Sequence, residues 1–389
     1  MPRLFRKRVY GLKLKRAPIS NKGPHFELTI PPMPRSAKRH RCDSSVVREL
    51  RDILSPAELE VDSQGCPAIL GSGSSGIVIK VNDFSHCWAM KVSDDENEVR
   101  IARRIAALQR GHIPDAASTL LTPTRRLVGS ELCMIPVEFL PGSQTDCTVR
   151  KWWMAMTKSK ACGQLHYLQM PIMTPLSGVE AYLKRMPMLD YLYEVVCPLT
   201  AAFEWLAGHN IVHLDVKPDN ILYDRETRHA MVCDFGMAAS PRTDQRIRDF
   251  IRTSEFNTLY TTTFRPPEVR HCDYDRSSFG DIQYLEHCPH VSRGCACADL
   301  KIGPSSDVWA LALSMLVIRS DYQLQTKTAP ITDADGRMLT QGVGTQDSDT
   351  VGFIELIGHG YTSVDDRWTA SQLSHMAESL IASREPHRV

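Results

Sequence analysis

Gly71, Gly73 and Gly76 form a G-x-G-x-x-G, and the residues just beyond Gly76 constrain the fold more than any other stretch of the chain. In a dinucleotide-binding unit such a loop opens a helix. Here it opens a β-branched run, Ile77-Val78-Ile79-Lys80-Val81, then a turn at Asn82-Asp83 and a second apolar run from Trp88 to Val92. The pattern predicts two antiparallel strands with a glycine-rich turn at the head of the first. Backbone N–H groups from Gly71 through Ser72, Gly73, Ser74 and Ser75 to Gly76 can then lie over phosphates without side-chain interference. Period-two alternation puts Ala89 and Lys91 on one strand face, so a small residue floors a nucleotide pocket while the lysine reaches into it. A ligand-free surface hairpin is the bland alternative.

At 389 residues and 42% hydrophobic content, the chain is long enough for roughly two domains or one two-lobed domain with a large core. No run approaches the ~18 apolar residues of a membrane span, and no apolar stretch comes after the basic N-terminus. The expectation is a protein inside a cell, in cytoplasm or nucleus, with no membrane partner. Twelve cysteines scattered over such a chain read mainly as reduced thiols. The net charge of +1 conceals an asymmetry: residues 1–41 hold twelve Lys/Arg and one acid, Glu27, leaving 34 basic and 44 acidic residues for the rest. Pro18, Pro24, Pro31, Pro32 and Pro34 interrupt this arm, which lacks apolar surface to offset ordering, so it reads as disordered. Its clusters "FRKR" and "AKRHR" suit nuclear import, contact with nucleic acid, or docking on the acidic body.

A cation aimed at phosphates needs a holder. Glu98, Ile101, Ala102 and Ile105 fall on one face of a helix, so Glu98 rather than Glu96 is the candidate partner of Lys91. Leu192, Val196, Leu199, Phe203 and Leu206 also recur at helical spacing, with Pro198 expected to kink the element and Gly208 to end it. The loop "IVHLDVKPDN", residues 211–220, comes next. After the apolar strand Met231-Val232-Cys233 stands "DFG", Asp234-Phe235-Gly236. Val308 to Ile318 is nearly uninterrupted apolar sequence, expected as a buried central helix.

With these elements in order, the chain resembles a eukaryotic-type protein kinase. The resemblance rests on "GSGSSGIV", "AMK", "HLDVKPDN", "DFG", "PPE" at 266–268, "DVWALALSML" at 307–316 and Arg367 in "DDRWTASQL", and covers about residues 62–382. It implies an α+β bilobal protein kinase fold, a small β-rich N-lobe over a larger α-helical C-lobe, with ATP between them. It also implies serine/threonine kinase activity with ATP and Mg²⁺ on a protein substrate. Position by position, Asp215 matches the aspartate that accepts the substrate hydroxyl proton, and Asn220 and Asp234 the two magnesium ligands. Lys91 matches the lysine on the α- and β-phosphates, with Glu98 as its partner. Lys217 matches the loop lysine at the γ-phosphate, and Thr261 the threonine lining the substrate site. The 71–76 loop, Val78, Ala89 and Met170 match the nucleotide-binding surface. Glu268 and Arg367 match a buried ion pair, and Asp307 the acid that braces the catalytic loop. Leu214 stands where the family has an arginine that pairs with a phosphorylated activation segment. Leucine supplies no cation, which implies activity independent of that phosphorylation.

The chain departs from the family in two long stretches. "MIPVEFLPGS", 134–143, looks like a hinge by composition but lies 75 residues before His213, whereas Pro171 lies 42 before it. Family spacing is roughly 40–50, which puts the hinge near Met170–Met173 and makes residues 111–163 an insertion in an N-lobe of 62–173. Residues 42–61 are expected as linker. In the C-lobe, 174–385, a Cys/His-rich insertion spans about 269–304, where C-x-C lacks zinc-knuckle spacing and reduced thiols or a docking insert are expected. The inserts, the seven-residue gap between Lys91 and Glu98 and the basic arm are similar to kinases of large DNA viruses such as herpesviruses. Two other classes compete: a pseudokinase acting as a nucleotide-binding scaffold, and a small-molecule phosphotransferase on a kinase-like fold. The former would be favoured by loss of Lys91, Asp215, Asn220 or Asp234. The latter is disfavoured by Lys217 and the full "DFG"–"PPE" segment.

Overall fold

A computed structural model describes residues 44–54, 58–73, 76–82, 87–110, 138–140, 147–157, 164–225, 228–239, 261–266, 303–321, 342–343, 347–361 and 366–383. The first lobe runs through α1 (Ser44–Leu54), β1 (Glu58–Leu59), β2 (Ile69–Ser72), β3 (Gly76–Asn82), β4 (Cys87–Ser93), α2 (Glu96–Arg110), β5 (Glu138–Leu140), α3 (Cys147–Thr157) and β6 (His166–Pro171). The sheet is antiparallel, in the order β1-β3-β4-β6-β5 with β2 also on β3. Alternation along these strands divides its residues between two faces. Ile77, Ile79, Val81, Trp88, Met90, Val92 and Tyr167 bury one face against Val46, Val47, Leu50 and Leu54 of α1 and Val149 and Trp153 of α3. Val78, Ala89 and Lys91 occupy the other. Trp153 is fully buried, and its indole N–H donates to the Val92 carbonyl at 2.9 Å. A buried indole N–H needs such a partner.

Two expectations change here. Residues 42–61, expected as linker, contain α1 and β1, because Val46, Val47, Leu50 and Leu54 make one apolar helical face that the sheet covers. The stretch 111–163, expected as an insertion, supplies β5, which pairs through Glu138↔Gln169, Phe139↔Leu168 and Leu140↔Tyr167. Glu138–Leu140 is therefore a strand of the lobe rather than a hinge, and β6 leads the chain out of the sheet at Pro171. The basic arm 1–41, Glu268 and nearly all of the 269–304 insertion lie outside the described residues.

The second lobe begins with β7 (Thr174–Pro175) and α4 (Leu176–Arg185), then α5 (Met188–Tyr191), a π-helical turn (Leu192–Val196) and α6 (Cys197–Gly208). Strands β8 (Ile221–Asp224) and β9 (His229–Val232) complete a small sheet ordered β7-β8-β9. Helices α7 (Pro304–Arg319), α8 (Ser348–Gly360) and α9 (Ala370–Ala382) complete the lobe. Pro198 produces no break. It stands in the first turn of α6, where its missing N–H costs little, and the wide turn just before it absorbs the mismatch. Every residue of α7 from Ser306 to Leu316 is buried, so this helix is the axis of the lobe. Among the described residues, no helix is long and apolar enough to cross a membrane.

The Trp153 bond carries a test of how α3 supports the sheet. Trp153→Ala is expected to lower unfolding stability by about 3–5 kcal/mol through cavity formation. Trp153→Phe keeps most of the apolar bulk but strips Val92 of its indole donor, for about 1–2 kcal/mol. Denaturant midpoints of the two variants against wild type check the order.

Candidate active site

Lys91 sits on β4 with only 7% of its surface exposed. Its Nζ lies 2.7 Å from Glu98 Oε1 and 2.8 Å from Asp234 Oδ1, so one ammonium joins both lobes. Glu98 reaches it from the first turn of α2, where Ile101, Ala102 and Ile105 bury the same face and Glu96 stays exposed. Burial alone would lower the Lys91 value, but the Glu98 and Asp234 carboxylates outweigh it and hold the ammonium well above the ordinary lysine range. Burial likewise opposes ionisation of Asp234, yet Lys91 holds its carboxyl below the usual aspartate range. Both groups are therefore charged at neutral pH. Gly76 leaves little room beside them: a Cβ there would stand 3.0 Å from both Lys91 Cε and the Val92 carbonyl. The loop closes by a bond from Gly73 N to Gly76 O at 2.9 Å.

The loop 211–220 is built around Asp215. Its Oδ2 accepts from Lys217 Nζ at 2.8 Å and from Asn220 Nδ2 at 2.9 Å. Its Oδ1 accepts from the Thr261 backbone N–H and hydroxyl, each at 2.9 Å, while Lys217 Nζ also donates to Thr261 Oγ1 at 2.8 Å. Because the Asn220 amide nitrogen also donates to Asp215 O at 2.9 Å, its Oδ1 is left as an oxygen donor. The loop is held from below by Asp307 of α7, which is 1% exposed and accepts from the backbone N–H of His213 at 2.5 Å and of Leu214 at 3.0 Å. His213 is fully buried; its Nδ1 accepts from Asp215 N at 3.3 Å, which leaves Nε2–H to donate to Cys233 O at 2.9 Å. The imidazole thus ties Asp215 to the residue before Asp234. Leu214 is fully buried in the core of the second lobe with φ of 64°. A left-handed leucine costs roughly 1–2 kcal/mol.

Asp234 also has a left-handed backbone, φ 64°, ahead of a short 3₁₀ turn at Phe235–Met237. Phe235 is buried with its ring centroid 4.9 Å from that of His213. Beyond it, Val212 and Ala239 exchange two backbone bonds of 2.8 Å.

The structure thus brings Lys91, Glu98 and Asp234 together, and Asp215, Lys217, Asn220 and Thr261 together. Ala89 pairs with Met170 across β4 and β6, and Val78 pairs with Lys91 across β3 and β4, so both border the same face. Gly71 and Ser72 are in β2 and Gly73 comes directly after it; Ser74 and Ser75 lie outside the described residues. Arg367 is 7% exposed and donates to Ser305 O at 2.8 Å. Sequence pattern alone does not single out Asn97. Its side-chain amide donates to Gly236 O at 2.8 Å and Ala238 O at 2.9 Å. The only signal is a polar residue directly before Glu98.

Residues 156–282 match the family model of the protein kinase domain. Curated relatives are protein kinases, several of them serine/threonine kinases by name. "Serine/threonine-protein kinase RIM11/MSD1" of Saccharomyces cerevisiae is 31% identical over 96 residues, 24% of this chain and 21% of the relative. "Serine/threonine-protein kinase 32C" of Homo sapiens is 43% identical over 51 residues, 13% of this chain and 10% of the relative. "Protein kinase gsk3" of Schizosaccharomyces pombe is 29% identical over 123 residues, 30% of this chain and 26% of the relative. The chain spans about a tenth to a quarter of the length of these relatives. The fold is the bilobal α+β fold of protein kinases, and the matches support the eukaryotic-type protein kinase superfamily.

The bond from Lys91 to Asp234 has a pH signature. Asp234 is held below its unfolded value of about 3.9, so its contribution is present above that value and lost as pH falls through the folded value. Lys91 is held above about 10.4, so its contribution is full below that and lost only as pH rises through its folded value. The melting-temperature gap between wild type and Asp234→Asn is expected to stay constant from about pH 6 to 9 and to shrink below about pH 4. Differential scanning across that range reads it.

Proposed function

We propose that this protein is a serine/threonine kinase that transfers the γ-phosphate of ATP to hydroxyl groups of a protein substrate, and that it does so without phosphorylation of its activation segment. One observation carries the reading: the Asp215 carboxylate is presented beside Lys217, Asn220 and Thr261, while Lys91 links Glu98 to Asp234 across the lobes. Phosphoryl transfer passes through a loose transition state, so the protein mainly aligns phosphates, offsets their charge and orients the attacking hydroxyl.

Each role falls to a group with suitable chemistry. Lys91, charged and held from two sides, binds the α- and β-phosphates, and the 71–76 backbone covers them. Asp215 orients the acceptor hydroxyl and takes its proton. Lys217, 2.8 Å from Asp215, supplies a positive charge where the γ-phosphate passes. Thr261 fixes Asp215 from the substrate side. The oxygens of Asn220 and Asp234 fit Mg²⁺, a hard cation that takes few protein ligands and keeps waters. When bound, Mg²⁺ offsets the phosphate charge. Leu214 lies wholly in the core with no positive group to offer a phosphate, which supports independence from activation-segment phosphorylation. The reading carries an intracellular location, in cytoplasm or nucleus. The phosphorylation candidates Thr253, Ser254, Thr258 and Tyr260 lie outside the described residues.

The test is transfer from labelled ATP with Mg²⁺ to a mixed basic-protein substrate. Asp215→Ala is expected to lose about 10²–10⁴ in rate, and phosphatase-treated wild type to keep its activity. Equal inertness of wild type and variant, with ATP still bound, would replace this reading by that of a nucleotide-binding scaffold. Loss of activity on phosphatase treatment would remove the claim about Leu214.

A further inference from the structure

Asn97 stands on the first turn of α2, one residue before Glu98. Its Oδ1 accepts from Arg100 at 2.6 Å, which fixes the amide so that both Nδ2 protons face the chain after Asp234. Those protons go to Gly236 O at 2.8 Å and Ala238 O at 2.9 Å. Asp95 supports the same junction. Its Oδ1 caps the helix by accepting from Asn97 N at 2.8 Å and Glu98 N at 3.1 Å. Its Oδ2 would stand 2.8 Å from a Cβ at position 236, so a side chain there would displace the Asp95 carboxylate.

The consequence concerns the same two elements that Lys91 joins. Lys91 ties the side chains of Glu98 and Asp234; the Asn97 side chain ties α2 to the backbone that comes after Asp234. The Asn97 bonds cannot depend on a phosphate and do not titrate near neutral pH. At Leu214, where a cation would be needed to hold a phosphorylated segment, there is none. We propose that Asn97 is a positioning residue for phosphoryl transfer, whose uncharged amide clamps Gly236–Ala238 to α2 and so keeps Asp234 in its Lys91-bonded conformation in the unphosphorylated protein. The catalytic half of this inference rests on the kinase reading; the clamp itself does not.

Hydrogen–deuterium exchange of the full chain is the first readout, comparing wild type, Asn97→Asp and Arg100→Ala. Asn97→Asp keeps the shape but replaces both donors with an acceptor facing two carbonyls. Exchange at the Ala238 and Ala239 amides is expected to quicken by about tenfold or more, with the amides of α9 unchanged. Arg100→Ala, which frees the amide to rotate, should quicken the same amides to a smaller extent. In the transfer assay, Asn97→Asp is expected to raise the Mg²⁺ needed for half-maximal rate several-fold and to lower kcat about tenfold, while KM for the protein substrate stays put. Unchanged exchange at 238 and 239 in both variants overturns the clamp, as does acceleration spread evenly over the second lobe. A fall in kcat with no change in Mg²⁺ requirement overturns its link to Asp234. A wild type that transfers no phosphate sinks the kinase reading, and the exchange result still decides whether Asn97 clamps the segment.

Discussion

A single buried carboxylate holds the site together. Asp307 lies on α7, the helix around which the second lobe packs, and is itself almost wholly buried. A lone carboxylate there would be severely destabilising without partners. It is satisfied by consecutive backbone N–H groups, those of His213 and Leu214. Immediately after these two donors the backbone turns through the positive φ of Leu214. The turn aims the Asp215 side chain out of the core while the Leu214 side chain goes into it.

From that anchor the order propagates outward through short links. His213 passes it to Cys233 through Nε2, and Cys233 N donates to Asn220 O at 3.0 Å. Val212 passes it to Ala239. Asp234 sits between these fixed points and hands the order to the first lobe through Lys91. The first lobe has its own core, in which α1 and α3 cover one face of the sheet and leave the other to Lys91 and Ala89. Movement of α2 relative to the second lobe would have to break the Lys91 bridge and the Asn97 bonds together. Coupling of this kind needs no long-range pathway, only two contacts that share the same pair of elements.

Much of this was legible in the chain because it is local. The change from glycine turn to β-branched strand excludes a dinucleotide-type helix, and a helical face containing Glu98 beside Ile101, Ala102 and Ile105 selects it over Glu96. The run Val308 to Ile318 announces a helix buried all round. Other features stayed hidden for physical reasons. The helix at Ser44–Leu54 carries only four core residues, and its apolar face makes sense only once the sheet it covers exists. The strand at Glu138–Leu140 is three residues long and is stabilised by β6 rather than by its own propensity. Pro198 suggested a kink, and the departure from regular helix that accompanies it is the π-helical turn at Leu192–Val196.

The sequence by itself determined which residues carry the chemistry and their order along the chain: the cation at 91, the acids at 98, 215 and 234, the amide at 220 and the absence of a cation at 214. These are properties of side-chain type and short spacing, and periodicities of two and 3.6 residues are enough to read them. Only the tertiary structure decided what each of them touches. Asn97 meets carbonyls 139 and 141 residues away, and Lys91 meets Asp234 across 143. No local periodicity reaches that far, because such contacts exist only after two lobes have packed. A polar residue on a helix's first turn is chemically identical whether it faces water or a neighbouring strand of chain, and packing alone makes the difference.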